Sequence, residues 1–202
     1  MSAARRGGYA KGRERREAIL HAANEVFAAQ GFHGAALSAI ATRVGLSEPG
    51  LLPHFPSKEH LLLELLAMRH EHDAERVARA LEHHEGFLDA LLGLCRENQG
   101  TPGLVRLFAI LAAESVDDDH PAHDWMLERY RTLRERFVPR IEAEQREGRI
   151  DPTLDARRLA PQLIAMFDGL QLQWLLDPEA VDVSAVFADF LDRLRPPAPQ
   201  RG

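Results

Sequence analysis

The segment Ser38-Ala-Ile-Ala-Thr-Arg-Val-Gly-Leu-Ser-Glu-Pro-Gly-Leu-Leu-Pro-His-Phe55 decides the fold of this 202-residue chain. Two short helical patterns meet at Gly45-Leu46-Ser47, and helices joined by so tight a turn must cross closely. The residue types follow from that demand. Ala41 is small where the second helix crosses the first, and Gly45 is free to take positive φ in the turn. Ile40, Val44, Leu46 and Leu51 supply a shared apolar core. Such a pattern is that of a helix-turn-helix, whose second helix enters the major groove with its first residues at the base edges. Ordinary helical hairpins share part of it, so the flanks matter.

Upstream, Ile19, Ala22, Ala23, Val26 and Phe27 recur at i, i+3, i+4, i+7 and i+8, which predicts a helix from Arg13. Gly31 stands where a C-terminal cap belongs. Downstream, Ser57 is an N-cap for a helix over about residues 58–81, with Glu59 in its first turn. Helical patterns continue over about 85–98, 104–116, 121–147 (Pro139 being an internal kink) and 155–176. Val183, Val186, Phe187, Phe190, Leu191 and Leu194 form a final one-face stripe. No stretch reads as a strand. Ala and Leu number 29 each, against 19 for Val, Ile and Thr together, and that imbalance favours helix over sheet. The expected architecture is all-α, with about nine helices.

The net charge of −6 argues, taken whole, against nucleic acid. Resolved along the chain, residues 1–60 sum to +3 and residues 61–202 to −9, as a basic recognition part joined to an acidic body would. Gly7, Gly8 and Gly12 among the basic residues predict a flexible arm over residues 1–12. Cys95, the single cysteine, excludes a disulfide framework and reads as a small buried hydrophobe. With no long apolar run and no apolar signal region, the chain reads as soluble and cytoplasmic, away from the membrane. Nucleophile elbow, phosphate loop and paired-carboxylate site are all missing, so neither an enzyme nor a cofactor is expected. His120 and His123 share a helical face beside Asp117–Asp119; without cysteine this reads as a solvated charged face, and no metal site is expected.

Four segments together carry a resemblance to the TetR family of transcriptional regulators. They are Phe27-Ala-Ala-Gln-Gly31-Phe32, Ile40-Ala41-Thr-Arg-Val-Gly45-Leu46-Ser47, Leu51-Leu52-Pro53-His54-Phe55 and Pro56-Ser57-Lys58-Glu59-His60-Leu61-Leu62. The match is specific over about residues 13–66. It continues more loosely to Asp168-Gly-Leu-Gln-Leu-Gln-Trp-Leu-Leu-Asp-Pro178, which resembles the dimerisation region of many members. The resemblance implies a three-helix DNA-binding domain over 13–60, a helical effector-binding and dimerisation domain over 61–195, and a tail over 196–202. It also implies a recognition helix over about 48–54, with Ser47 as its cap and a phosphate contact. Ser38 and Lys58 become backbone contacts, and His54 is structural or a phosphate contact. Arg5, Arg6, Lys11 and Arg13 follow a phosphate strand or dip into the minor groove. Contacts of this kind supply affinity more than sequence discrimination.

The chain departs from the family's pattern at Ala36 and Leu52, where many members carry Thr and Tyr. Leu52 offers only apolar contact, as to a thymine methyl. Pro53 removes an N–H and disfavours αR at Leu52, so a short or distorted recognition helix is expected. Glu48, Pro49, Gly50 and Leu52 are then the base-reading set.

For the body, the resemblance implies a dimer through the last two helices and an effector pocket among the others. The stripes of those two helices are broad enough to form a four-helix bundle with a second copy. The expected interface is Leu163, Gly169, Leu170, Gln173, Trp174, Phe187, Phe190, Leu191 and Leu194, although the same stripes suit the core of one chain. The expected pocket is lined by Phe108, Trp125, Met126, Tyr130, Met166 and Phe167, with Arg129 anchoring an anionic or carbonyl group; each of these also suits a core position. The function so implied is a homodimeric repressor, released from a palindromic double-stranded DNA operator by a small-molecule effector. The alternative is a helical sensor or interaction protein of the same fold with weak or lost DNA binding.

Overall fold

A computed structural model describes residues 3–82 and 86–196, with side chains described from Gly12 onward except at 72, 73 and 82. Its helices are α1 (Ala3–Gly34), α2 (Leu37–Arg43), α3 (Glu48–Leu51), α4 (Lys58–Glu82), α5 (Phe87–Asn98), α6 (Pro102–Glu114), α7 (His123–Arg146), α8 (Ala156–Leu176) and α9 (Val183–Asp192). Among the described residues there is no strand. The expected all-α architecture of about nine helices is the one observed.

Local chemistry sets the boundaries. Asp155 caps α8 by accepting from the N–H groups of Arg157 and Arg158 at 2.9 and 3.3 Å, and Asp182 caps α9 through Ala185 N–H at 3.0 Å. Pro102 begins α6, where the sequence pattern suggests Leu104; a first-turn proline forfeits no helical hydrogen bond, so the turn residue doubles as a helix start. Pro139 lies inside α7 without ending it. The arm expected over residues 1–12 is helical from Ala3. Ala3, Ala4, Arg5 and Arg6 are good helix formers, and Gly7 and Gly8 cost only about 1 kcal/mol each.

The chain forms two compact units, Met1–Arg69 with Arg106–Asp124, and His70–Val105 with Trp125–Gly202. The boundary expected at residue 60 therefore falls inside α4, whose apolar face continues unbroken through Leu61, Leu62, Leu65 and Leu66, all buried. The first unit also gains most of α6, the loop after it and the first two residues of α7, a return that a linear reading cannot foresee. That return brings one arginine and five carboxylates, so the unit's formal balance becomes −1 in place of the +3 of residues 1–60.

In the first unit the predicted stripe of α1 is the core: Ile19, Ala23, Val26 and Phe27 are buried, with Ile40, Leu51, Phe55 and Leu61. Gly31 breaks α1 at φ +68, ψ 178, and a side chain there would run into the Glu114 carboxylate. That carboxylate accepts the Phe32 N–H at 3.0 Å. His120 lies beside it, edge-on to the rings of Phe32 and His33 at 5.1 and 5.4 Å. Its Nδ1 accepts the Ala122 N–H at 3.2 Å, which leaves the neutral ring's proton on Nε2, 3.6 Å from Glu114. The expected solvated face is thus wrong at His120, which is 3% exposed. Burial lowers its pKa below the usual imidazole value, against the pull of Glu114.

The second unit is a core of Phe87, Leu91, Cys95, Ile141, Leu159, Leu163, Leu170, Phe187 and Leu191 among α5, α7, α8 and α9. Cys95 is buried as expected, and desolvation pushes its thiol up to about 11. Arg149 neutralises buried Glu144 with two hydrogen bonds, at 2.9 and 2.6 Å, across the turn that Gly148 makes at φ +72.

Candidate DNA-contacting face and effector cavity

The turn before α3 has the geometry its residues demand. Gly45 sits at φ +68, its N–H bonds Thr42 O at 3.1 Å, and Leu46 N–H reaches back to Ala41 O at 2.9 Å. Ser47 is extended and its hydroxyl accepts the Gly50 N–H at 3.3 Å, so it caps α3. A Cβ at Gly50 would meet that hydroxyl at 3.3 Å, which favours glycine there. The recognition helix is the four residues Glu48–Leu51, as short as Pro53 predicts. Pro53 has no N–H to give Pro49, and the N–H groups of His54 and Phe55 both converge on Leu51 O, at 2.9 and 3.1 Å. Those two bonds and the burial of Leu51 hold Leu52 in αR at φ −55, ψ −36, against the bias of the following proline.

Glu48, Pro49 and Leu52 are exposed, Leu52 at 43%, with half-buried Gly50 between them; Ser38 and Arg13 are exposed as well. This face carries a carboxylate and apolar surface. The cations are committed elsewhere. Lys58, expected on a phosphate, donates to Phe32 O at 2.8 Å and Ala35 O at 3.0 Å and lies 4.4 Å from the centre of the Phe32 ring. It thereby satisfies carbonyls left over where α1 ends. Arg16 donates to His54 O at 2.6 Å, pairs with Glu64 and lies 4.2 Å over the Phe55 ring. Arg15 donates to Val44 O at 3.1 Å, Arg43 pairs with Glu25 at 2.5 Å, and Arg13 with Glu17 at 3.7 Å. Every basic side chain between residues 12 and 60 therefore has a partner in the protein. Arg5, Arg6 and Lys11 fall outside the described side chains. The clamp made by Arg16 had no sequence signal beyond its charge.

The second unit holds a cavity of about 550 Å³ lined from α4, α5, α7 and α8. Its walls are mostly apolar, with Phe87, Phe137 and Phe167 as aromatic faces and Leu91, Leu133 and Ile164 between them. The charged wall residues are Arg129, Glu135, Arg136, Arg140 and Asp168, with His70 beside them. Of the expected pocket residues, only Arg129 and Phe167 line it. Phe108 belongs to the first unit. Met126 is buried, and Met166 packs on the hydrophobic core. Trp125 stands behind the wall, edge-on to His70 at 6.2 Å. Tyr130 does too, its hydroxyl donating to Asp168 Oδ2 at 2.8 Å. Burial pushes the Asp168 carboxyl up, while the Tyr130 hydrogen bond and then the Arg129 charge pull it down. Asp168 went unassigned in the sequence because a carboxylate in an apolar helix has no motif of its own.

The expected dimer stripe divides in two. Leu163, Leu170, Phe187, Leu191 and Leu194 are buried in the core of the single chain, since helical stripes of this width have an inner and an outer edge. Trp174 and Phe190 also pack on that core but stay partly exposed. Gly169, Leu172, Gln173 and Leu176 share an outer face of α8 at i, i+3, i+4 and i+7, and Val186 and Phe190 share one on α9. Leu172, Leu176 and Val186 are 51, 79 and 44% exposed. Among the described residues, no group of three or more side chains could hold a metal ion, and no helix is long and apolar enough to cross a membrane.

The sequence profile of "Bacterial regulatory proteins, tetR family" matches residues 19–65, and that of "BetI-type transcriptional repressor, C-terminal" matches residues 83–196. The transcriptional regulator UidR of Escherichia coli K12 is 28% identical over 183 residues, 89% of each chain. The transcriptional repressor AcnR of Corynebacterium jeikeium is 26% identical over 157 residues, 78% of this chain and 79% of that protein. The crystal structure of a regulator from Saccharomonospora viridis in complex with choline superposes with a TM-score of 0.75 at 26% identity, covering 89% of this chain and 96% of the other.

Proposed function

Since the chain belongs to the TetR family of DNA-binding transcriptional regulators, we propose that it is a homodimeric repressor that a small molecule releases from a palindromic operator in the cytoplasm. The observation that carries this reading is the pairing, in one chain, of a Ser47-capped helix-turn-helix with a cavity of about 550 Å³ in the other unit. A space of that size suits a small organic ligand. The repressor AcnR and the choline-bound regulator support the two halves of the reading, repression and effector binding. The face of Leu172, Leu176, Val186 and Phe190 pairs with its own copy about a two-fold axis, giving a four-helix bundle of two α8 and two α9 helices.

In this reading Glu48, Pro49, Gly50 and Leu52 approach base edges. Ser38, Ser47 and the arm residues Arg5, Arg6 and Lys11 take phosphates. A ligand releases the operator only if it binds the DNA-incompetent state more tightly than the competent one. Gel-shift and footprinting on the region upstream of the protein's own gene test the proposal. We expect protection of a palindrome at low salt, steep weakening as salt rises, and a dimer by light scattering. The second reading, a sensor with weak or lost DNA binding, is favoured by the four-residue α3. Failure to retard any palindromic genomic fragment at low salt selects it and overturns the first.

A further inference from the structure

The segment from Glu48 to Pro53 presents side chains with no hydrogen-bond donor. Glu48, Pro49, Leu52 and Pro53 are exposed around half-buried Gly50, and of these only the Glu48 carboxylate is polar, as an acceptor alone. At the ends of the segment, the Ser47 oxygen takes the Gly50 N–H at 3.3 Å and His54 is half-buried. The commonest reader of a guanine edge, an arginine or lysine on O6 and N7, is missing from these six residues. Leu52 continues the helical path of α3 at φ −55, ψ −36, so it shares a face with Glu48, about 6 Å further along the axis. That span matches about two base-pair steps of roughly 3.4 Å.

Each side chain then selects by what it excludes. Phosphates repel a carboxylate, which finds compensation only at an exocyclic amino group, N6 of adenine or N4 of cytosine; O6 and N7 of guanine and O4 of thymine repel it further. Leu52, 43% exposed, gains only by covering carbon, and the methyl group that the major groove offers is that of thymine. We infer that each half-site is read through one amino group and one methyl group: adenine or cytosine at Glu48, and thymine at Leu52 within about two base pairs. The inference rests on reading Glu48–Leu51 as the recognition helix, and it adds the chemistry of the bases which that helix accepts.

The test selects duplexes from a random pool with the full-length protein at low salt. The enriched half-sites are then remade with deoxyuridine for thymidine, which deletes only the methyl. We expect uracil in the half-sites to weaken binding about fourfold for each contacted thymine, the effect of one buried methyl. The salt slope should stay as it was, because no phosphate contact is lost. Uracil confined to the flanks should have no effect. Leu52→Ala should bind thymine and uracil duplexes alike. Glu48→Gln, which adds a donor, should relax the exclusion of guanine at its position by about tenfold. Both side chains are exposed, and the uracil comparison needs no variant at all. Uracil tolerated throughout the half-sites, a fourfold difference that survives Leu52→Ala, or guanine enriched by the unaltered protein at the position that Glu48→Gln changes overturns the inference and leaves DNA binding standing. If no duplex is enriched, the recognition-helix reading falls and the inference with it.

Discussion

The two units treat their charged groups in opposite ways. Around the helix-turn-helix, cations are drawn inward to hold backbone: Lys58 on the end of α1, Arg15 on the end of α2, Arg16 on the turn after α3. In the other unit a carboxylate, Asp168, stands on the wall of a mostly apolar cavity and accepts the Tyr130 hydroxyl at 2.8 Å. The first arrangement fixes a shape before any partner arrives, because each ordered cation satisfies carbonyls that helix termini leave unpaired. The second puts a charged group on the wall of a ligand-sized cavity. Basic residues near a helix-turn-helix are therefore a poor measure of its interface with DNA, and a half-buried acid on the wall of a cavity is a better pointer to a site.

The largest effect that tests this contrast lies in the second unit's core. Phe187→Asp should unfold that unit outright, since losing the buried ring alone costs about 3–5 kcal/mol and a buried charge adds to it. Leu176→Arg on the exposed edge should leave the thermal transition in place and yield monomers by light scattering. A folded, monomeric Phe187→Asp would put the interface back on the inner stripe.

Next comes the division among the cations. Lys58→Ala removes two charge-assisted bonds and should cost the first unit about 2–3 kcal/mol, seen in denaturant melts. Neutralising Arg5, Arg6 and Lys11 together should leave stability unchanged and flatten the salt dependence of DNA binding, by about 0.9 in log–log slope per lost phosphate contact. Equal loss of stability in both variants would erase the distinction between clamp and arm.

The smallest effects are in pH, and they carry opposite signs. For His120 the folded value lies below the usual 6.5, so in the window beneath 6.5 the unfolded chain binds more protons. Stability should then fall as pH drops through that window, and His120→Gln should blunt the fall. For Asp168 the folded value lies above 3.8, so the folded chain binds more protons just above it. This contribution to stability should be lost as pH rises from 3.8 and stay lost at neutrality. Asp168→Asn should therefore raise the neutral melting temperature slightly and have no such benefit in strong acid.

What could be read from the sequence follows the range of the interactions. Gly45, Ser47 and Pro53 act within a few residues, and their consequences were readable: a positive φ, a cap, a short helix. Leu163 and Leu172 both belong to apolar stretches of one helix, and only tertiary packing tells the inner edge from the outer. The cavity was least legible, because a void is defined by side chains that fail to meet; of seven expected lining residues, Arg129 and Phe167 are on its wall. Lys58 shows a different limit. Its position matched a family pattern, but the carbonyls it binds come from a kink more than twenty residues upstream.

Glu114 reaches back 82 positions to seal the break after Gly31. Vectorial synthesis from the amino terminus must therefore leave that break open until α6 has left the ribosome. A gene fragment ending after α4 should give a fraying product whose amides near Phe32 exchange quickly with solvent. For the same reason, recombination that swaps the first seventy residues between homologues has to carry residues 106–124 along with them.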